Sequence, residues 1–360
     1  DDECGICGGS GIPDGECDCD GNVADCSGEC DGSALLDNCG TCNADPDDDC
    51  VQDCDDIWGG DAEVTDFYNE EHRGKVGLEI GDVITEINDI PVAEIVEEKA
   101  KFYPASNYPT MLRDISTDLL RSNSDEIKIK MQSGENKVKI KSLKLYPKDS
   151  LDIYRWYRRD DRKSFKLLDN NIGYVTLHTI KDEDIPKIKK QFKNTKGIVI
   201  DIRNYPSTFV PFALGTYFVS SATSFVKFTH GSVDNPGEFT FGKELKIPSK
   251  GDTYQGKLVV LVNELTQSQA EYTSMAFRAG DNTTIIGSTT AGADGNVSPI
   301  YLPGGMRTMI SGIGVYYPNG EETQRVGIVP DIEVKPTILG IRQGKDELLE
   351  KAIEIIKKEE

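Results

Sequence analysis

From about residue 170 onward the chain alternates solid apolar runs with amphipathic ones. NIGYVTLHT (171–179), KGIVIDIR (196–203), KLVVLVN (257–263) and NTTIIGS (282–288) are short and rich in β-branched residues, the pattern of strands buried on both faces. DIPKIKKQFKNT (184–195) lies between the first two and carries its apolar residues at helical spacing. NELTQSQAEYTSMAFRAG (263–280) follows the third as a turn and a helix, and DELLEKAIEIIKKEE (346–360) closes the chain as an amphipathic helix. A buried strand feeding directly into a helix is the crossover grammar of a parallel α/β sheet. Residues 62–147 read differently. GKVGLEIGDVITEINDIPVAEI (74–95) gives a glycine-bounded turn, an alternating VITEI strand, a tight turn at NDIP and a helical stretch. A second helix is predicted over MLRDISTDLLRS (111–122), then two alternating strands, DEIKIKMQ and NKVKIKSLKL. Residues 1–61 show no such periodicity, so the predicted layout is three regions, 1–61, 62–147 and 148–360.

Length and composition fit that layout. A chain of 360 residues exceeds one ordinary domain, and 37% hydrophobic with 28% charged residues is normal for a globular chain with a sizeable core. No apolar run approaches the roughly 18 residues of a membrane span. The chain opens DDECG, without a methionine or a signal peptide, and is therefore expected to be a mature form or a fragment. Of the net charge of −22, residues 1–61 supply 19 acidic and no basic residues, leaving 43 acidic against 40 basic in the remainder. With no basic stripe, nucleic acid is not an expected partner.

All 10 cysteines lie in the same acidic segment, at 4, 7, 17, 19, 26, 30, 39, 42, 50 and 54. An even, dense set in a Gly/Asp-rich stretch reads as a disulfide framework of an oxidising compartment. Zinc is the competing reading, since Cys4/Cys7 and Cys39/Cys42 are C-x-x-C pairs, but the segment has no histidine and many hard oxygen ligands. The units repeat: DCSGECDGS (25–33) aligns with DCDDIWGGDA (53–62), and DECGICGGS (2–10) with DNCGTCNAD (37–45). Asp18, Asp20 and Asp25 in GECDCDGNVAD surround a glycine turn, an arrangement suited to calcium, which takes six to eight oxygens. The segment resembles the calcium-binding thrombospondin type 3 repeats of secreted and cell-surface proteins; the bland alternative is an acidic disordered spacer.

Ser268 and Glu271 match the S-x-x-E capping box, so the plain reading of Ser268 is a helix cap. The surroundings add a second reading. GLEIGDVITEINDIPV resembles the central hairpin of PDZ-type domains, which bind chain termini by strand addition; a small bracing α+β domain is the alternative. NIGYVTL, GIVIDIRNYPS (197–207), LVVLVNELTQSQAE (258–271), and GSTTAGADGN with VGIVPDIEV together resemble the S41 peptidases, the C-terminal-processing or tail-specific proteases. The resemblance implies an α/β, ClpP/crotonase-like core, a serine endopeptidase activity on peptide or unfolded protein, and no catalytic cofactor. Ser268 would be the nucleophile and the Gln269 N–H one oxyanion donor. The second donor would come from Ser207 or Thr208, although NYPST lacks the usual glycines.

The base departs from the better-known pattern of the family. Its lysine, 25 residues after the serine, falls here on Ala293, so a Ser–Lys dyad at that place is excluded. The tricorn-like branch uses Ser–His backed by a carboxylate, and Glu322 in NGEETQRVGIVPD stands roughly where that acid falls. Its histidine would precede the PDZ-like region, where this chain has the cysteine repeats. The three histidines are His72, read as a solvated loop residue, His178 at the end of GYVTLH, and His230 in a loop; the last two are the candidate bases. The competing function is a catalytically inactive peptide-binding surface protein, or a fragment without its histidine, on a calcium-bearing stalk. A bacterial secreted, cell-surface or periplasmic location is expected.

Overall fold

The structure is a computed structural model that describes residues 12, 17–19, 22–25, 29–32, 35–36, 42–43, 62–134, 137–153, 161–235 and 237–358. In the cysteine segment a two-residue pair, β1 (Leu35–Leu36) and β2 (Cys42–Asn43), runs antiparallel. Cys17 and Cys30 are joined in a disulfide with their Cα atoms 5.6 Å apart. Cys19 is disulfide-bonded as well.

The region after it builds an antiparallel sheet in the order β3 (Ala62–Glu63), β4 (Val83–Ile87), β6 (Glu126–Ser133), β7 (Lys137–Lys144), with β5 (Ile90–Pro91) turning back onto β4. The alternation of VITEI and EIKIKMQS sends Ile84, Ile127, Ile129 and Met131 inward, where they meet Val92 of α1 (Val92–Ala100) and Ile115 of α2 (Tyr108–Asp118). β7 is the outer strand; Lys137, Lys139 and Lys144 are exposed, as are Val138 and Ile140, and lysine is a common guard on a free edge.

The second sheet has six strands. They are β8 (Phe165–Leu168), β9 (Ile172–Thr176), β10 (Gly197–Asp201), β14 (Lys257–Val262), β15 (Thr283–Gly287) and β19 (Ile332–Glu333), in the spatial order β19-β15-β14-β10-β9-β8. All neighbours are parallel except β8 and β9. Between β10 and β14 the chain makes α4 (Pro211–Gly215) and β11 (Thr223–Gly231), which pairs with β12 (Phe239–Phe241) and β13 (Leu245–Ile247). A separate exposed hairpin, β16 (Val297–Tyr301) and β17 (Arg307–Ser311), precedes β18 (Val315–Tyr316), which joins β11.

The solid apolar runs are explained by burial on both sheet faces. Ile198, Ile200, Leu258 and Val260 face α3 (Ile185–Phe192) and α5 (Gln269–Arg278). Val199, Val259 and Leu261 face Leu348, Ala352 and Ile356 of α7 (Glu347–Lys358), which follows the short α6 (Ile338–Gln343). α3 lies close because β9 offers Gly173 under it: an added Cβ would stand 2.6 Å from the fully buried Phe192 ring. Among the described residues no helix is long and apolar enough to cross a membrane.

The two sheets are tied together. The Arg342 guanidinium of α6 donates to Gly81 O (2.9 Å) and Gly134 O (2.8 Å), two turn carbonyls of the first sheet.

Replacing Phe192 by Ala should lower stability by about 3–5 kcal/mol, since a fully buried ring is removed from a face that Gly173 cannot refill. Urea unfolding of the two chains measures it; a loss below about 1 kcal/mol would show that this face repacks freely.

Candidate active site at the carboxyl edge of the parallel sheet

In an open parallel sheet the loops after the strand ends gather at one edge, where such folds carry their sites. Here β9 ends toward His178, β10 toward residues 202–208, β14 toward 263–268 and β15 toward 288–295. Thr266, fully buried, binds three of these loops together. Its hydroxyl donates to Ile202 O (2.9 Å) and accepts from Asn263 N–H (3.1 Å), and its carbonyl accepts from Ala291 N–H (3.0 Å). The β10 end is held by Arg203, which makes paired hydrogen bonds to Asp201 (3.0 and 2.8 Å) and to Asp346 ahead of α7 (2.9 and 2.7 Å). Burial pushes the Asp346 carboxyl up, but the bonds and charge of Arg203 outweigh it and hold it below its usual range.

Ser268 sits between β14 and α5 with φ 55° and ψ −115°. An ordinary N-cap is extended, so capping alone does not require this conformation. The glutamate's half of the capping box is a hydrogen bond: the Ser268 N–H donates to Glu271 Oε2 at 2.9 Å. Glu271 does much more than cap. Fully buried, it also accepts from Thr290 Oγ1 (2.6 Å), Gly292 N–H (2.7 Å) and Ala293 N–H (3.0 Å), which locks the serine turn to the 290–293 loop. Burial raises its pKa, and these donors pull against that rise. Gly292 serves the cradle through φ 63°, a conformation that favours glycine, and its carbonyl accepts from Arg325 N–H at 2.7 Å.

The two candidate oxyanion segments meet. Gln269 Nε2 donates to Thr208 O at 3.3 Å, and among the described residues neither the Gln269 nor the Thr208 N–H has an acceptor. Ser207 is corrected. Its N–H donates to Leu177 O at 2.9 Å and its hydroxyl to Ile180 O, so it serves as a brace rather than an oxyanion donor.

The structure brings neither Glu322 nor His230 into hydrogen-bond contact with Ser268 among the described residues. Glu322 pairs with Tyr316 in a β-bridge, and its carboxylate accepts from Arg325 at 3.0 Å rather than from an imidazole. His230 is exposed on β11, opposite Thr240. His178 is buried just beyond β9, at the same edge as Ser268 but two strands removed from β14. His72 is not a solvated loop residue: its ring stacks on Tyr146 with centroids 4.0 Å apart and its nitrogens are buried. As for calcium, Asp20 lies outside the described residues. Asp18 accepts from Asn22 N–H (3.1 Å) and Nδ2 (2.7 Å), and Asp25 from Glu29 N–H (3.0 Å). Among the described residues the one group of three ligand-type side chains within reach of a single ion is Cys17, Asp18 and Cys30, and its two sulfurs are already bonded to each other. That set does not fit calcium, which takes oxygen ligands.

Several site residues escaped the sequence reading. Asp294, beside the Ala293 found by counting from Ser268, is buried, and among the described residues its Oδ2 has no partner. Burial and then the neighbouring Glu271 raise its pKa to about 7. The helix α2 reaches across from the first sheet. Asn107 caps α2 through Oδ1 and donates its Nδ2 to Thr290 O (2.8 Å), Thr110 Oγ1 donates to Ala291 O (3.0 Å), and Arg113 donates to Glu264 O (2.8 Å) and Gln267 Oε1 (2.9 Å). The N-P signal at 107–109 marks a helix start, but only tertiary placement shows what it touches.

Residues 171–334 match the model of peptidase family S41. Tricorn protease of Thermoplasma volcanium is 22% identical over 292 residues, 77% of this chain and 25% of that protein, so the chain spans about a quarter of its relative's length. Mature CPAF complexed with lactacystin superposes with a TM-score of 0.64 at 15% identity, covering 86% of this chain and 81% of that one. Mature CPAF alone gives 0.63 at the same identity, over 86% and 82%. At such identities the structural likeness is one of fold. The match to peptidase family S41 falls on the parallel sheet and the loops at its carboxyl edge, the part of the chain that carries Ser268.

The buried Asp294 has a pH consequence. The folded chain keeps on this carboxyl a proton that the unfolded chain releases near pH 4, so its share of stability is present below about pH 4 and is lost as pH rises toward about 7. Asp294→Asn should therefore show a smaller fall in Tm between pH 5 and pH 8 than the parent chain. Parallel Tm profiles would show that the site does not hold the proton.

Proposed function

We propose that the chain is a serine-type endopeptidase of exported or unfolded proteins, with Ser268 as nucleophile. The observation that carries this is the strained turn at Ser268: a non-glycine residue at φ 55° on a strand-to-helix junction, at the carboxyl edge of a parallel sheet. In the proposed reaction Ser268 Oγ attacks the scissile carbonyl carbon and its proton passes to a base. The oxyanion is received by the Gln269 N–H at the positive end of α5 and by the Thr208 N–H. As the tetrahedral intermediate collapses the peptide C–N bond breaks and the base passes its proton to the departing amine; water, giving a proton to the base, then hydrolyses the acyl-enzyme and frees the Ser268 hydroxyl. His178, at the same sheet edge as Ser268, is the side chain put forward for the proton. The first sheet, as a PDZ-like module, captures chain ends by strand addition and passes its state to the site through Asn107, Thr110 and Arg113. The Cys17–Cys30 bond supports an exported location.

A second reading, a peptide-binding protein without turnover, is favoured by one residue: Ala293 stands where the lysine base of the processing proteases falls. Labelling with a broad serine-reactive phosphonate separates the two. The parent chain should label and Ser268→Ala should not, with loss of labelling of at least about 100-fold. Equal labelling, or none in either, would overturn the nucleophile.

The Asp-rich repeats are proposed to take calcium through residues that include Asp20. Proteolysis of residues 1–61 should then quicken in excess chelator and slow again on adding calcium; unchanged digestion would remove the metal.

A further inference from the structure

The nucleophile has an aromatic neighbourhood that no step of the proposed chemistry uses. Tyr272 lies one helical turn beyond Ser268, its N–H donating to Ser268 O at 3.0 Å. Its ring stacks on Phe209 (centroids 5.8 Å, planes at 23°) and on Phe228 (6.2 Å, 14°), and meets Phe225 edge-on at 5.2 Å. Phe212 stands 6.2 Å from Phe209. Phe225 is the buried floor of this group, and Tyr272, Phe212 and Phe228 are half-buried. Phe209 is 53% exposed, an aromatic ring left in water while packed on one face against other aromatics. It follows Thr208, whose carbonyl takes the Gln269 amide. The open ring thus follows directly on a segment proposed to hold the oxyanion and stacks on Tyr272, whose backbone is bonded to the serine's.

An exposed apolar group continuous with a reactive centre marks a ligand subsite more often than chance surface does. We infer that Phe209, Phe212, Tyr272 and Phe228 form a specificity subsite for a bulky apolar side chain, aromatic or leucine-like, of the substrate residue next to the cleaved bond. This rests on the peptidase reading and narrows its substrate class. The occupant follows from what lines the site. A second aromatic or branched side chain would cover the bare face of Phe209 by offset stacking, whereas a charged one would lose water against five aromatic rings. Burial, and then the charge of the buried Asp294, raise the Tyr272 pKa to about 12.

Binding and turnover test the subsite separately. Fluorescein-labelled decapeptides identical except for one Phe, Leu, Ala, Glu or Lys are titrated onto the Ser268→Ala chain and read by anisotropy. The Phe and Leu peptides should bind on the order of tenfold tighter than the Ala, Glu and Lys peptides. Phe209→Ala in the same background should erase that ratio and Phe209→Tyr should keep it, with circular dichroism confirming that both variants fold. Equal affinities across the series, or a preference for Lys, would overturn the subsite. So would an unchanged ratio in Phe209→Ala, since the ring would then take no part in choosing the peptide. If the preference is found but Ser268 neither labels nor cleaves, the peptidase reading falls and the subsite stands. If Ser268 labels and the preference is missing, the subsite falls alone.

Discussion

A single buried carboxylate holds the site in shape. Glu271 accepts four hydrogen bonds, one from the serine turn and three from the loop after β15. Burying a carboxylate is costly, and the cost is tolerable only because each oxygen meets donors fixed by backbone geometry. The consequence is mutual. The Ser268 turn cannot relax out of φ 55° without leaving Glu271 short of a donor, and the 290–293 loop cannot swing away without uncovering the charge. The strain at the serine and the burial at the glutamate are two sides of one arrangement.

The same loop receives the first sheet's helix. Thr290 and Ala291 give their carbonyls to Asn107 and Thr110, while Arg113 grips the segment leading into Ser268. The loops of the site therefore stand between the parallel sheet on one side and α2 on the other. A shift of α2 would have to be accommodated by these loops before anything else, because the buried core beneath them is close-packed on both sheet faces. The arrangement gives the first domain a physical route to the serine.

Much of this was legible in the chain. The apolar runs at 171–179, 196–203, 257–263 and 282–288 became β9, β10, β14 and β15, because strands buried on both faces must be apolar at every position. Ser268 at a strand-to-helix junction, and the alternating strands at 125–132 and 136–145, could be read in the same way. Glu271 was legible only as a cap, since its contacts with Thr290, Gly292 and Ala293 join residues about twenty positions apart. Ser207 failed as an oxyanion donor for a related reason: nothing in NYPST shows that its N–H is already taken by Leu177. His72 looked solvated because its neighbours are charged, yet Tyr146, far along the chain, stacks on it.

By itself the sequence determined what local periodicity can encode: which runs are buried, which faces of α3 and α7 are apolar, where the cysteines and acidic charge gather, and where a serine opens a helix. Only the tertiary structure decided which backbone donors stay free, which carboxylates lose their water, and which aromatic rings collect around Ser268. Periodicity reports a residue's own exposure, whereas hydrogen-bond partnership and desolvation depend on strands and loops that meet only once the sheet has closed.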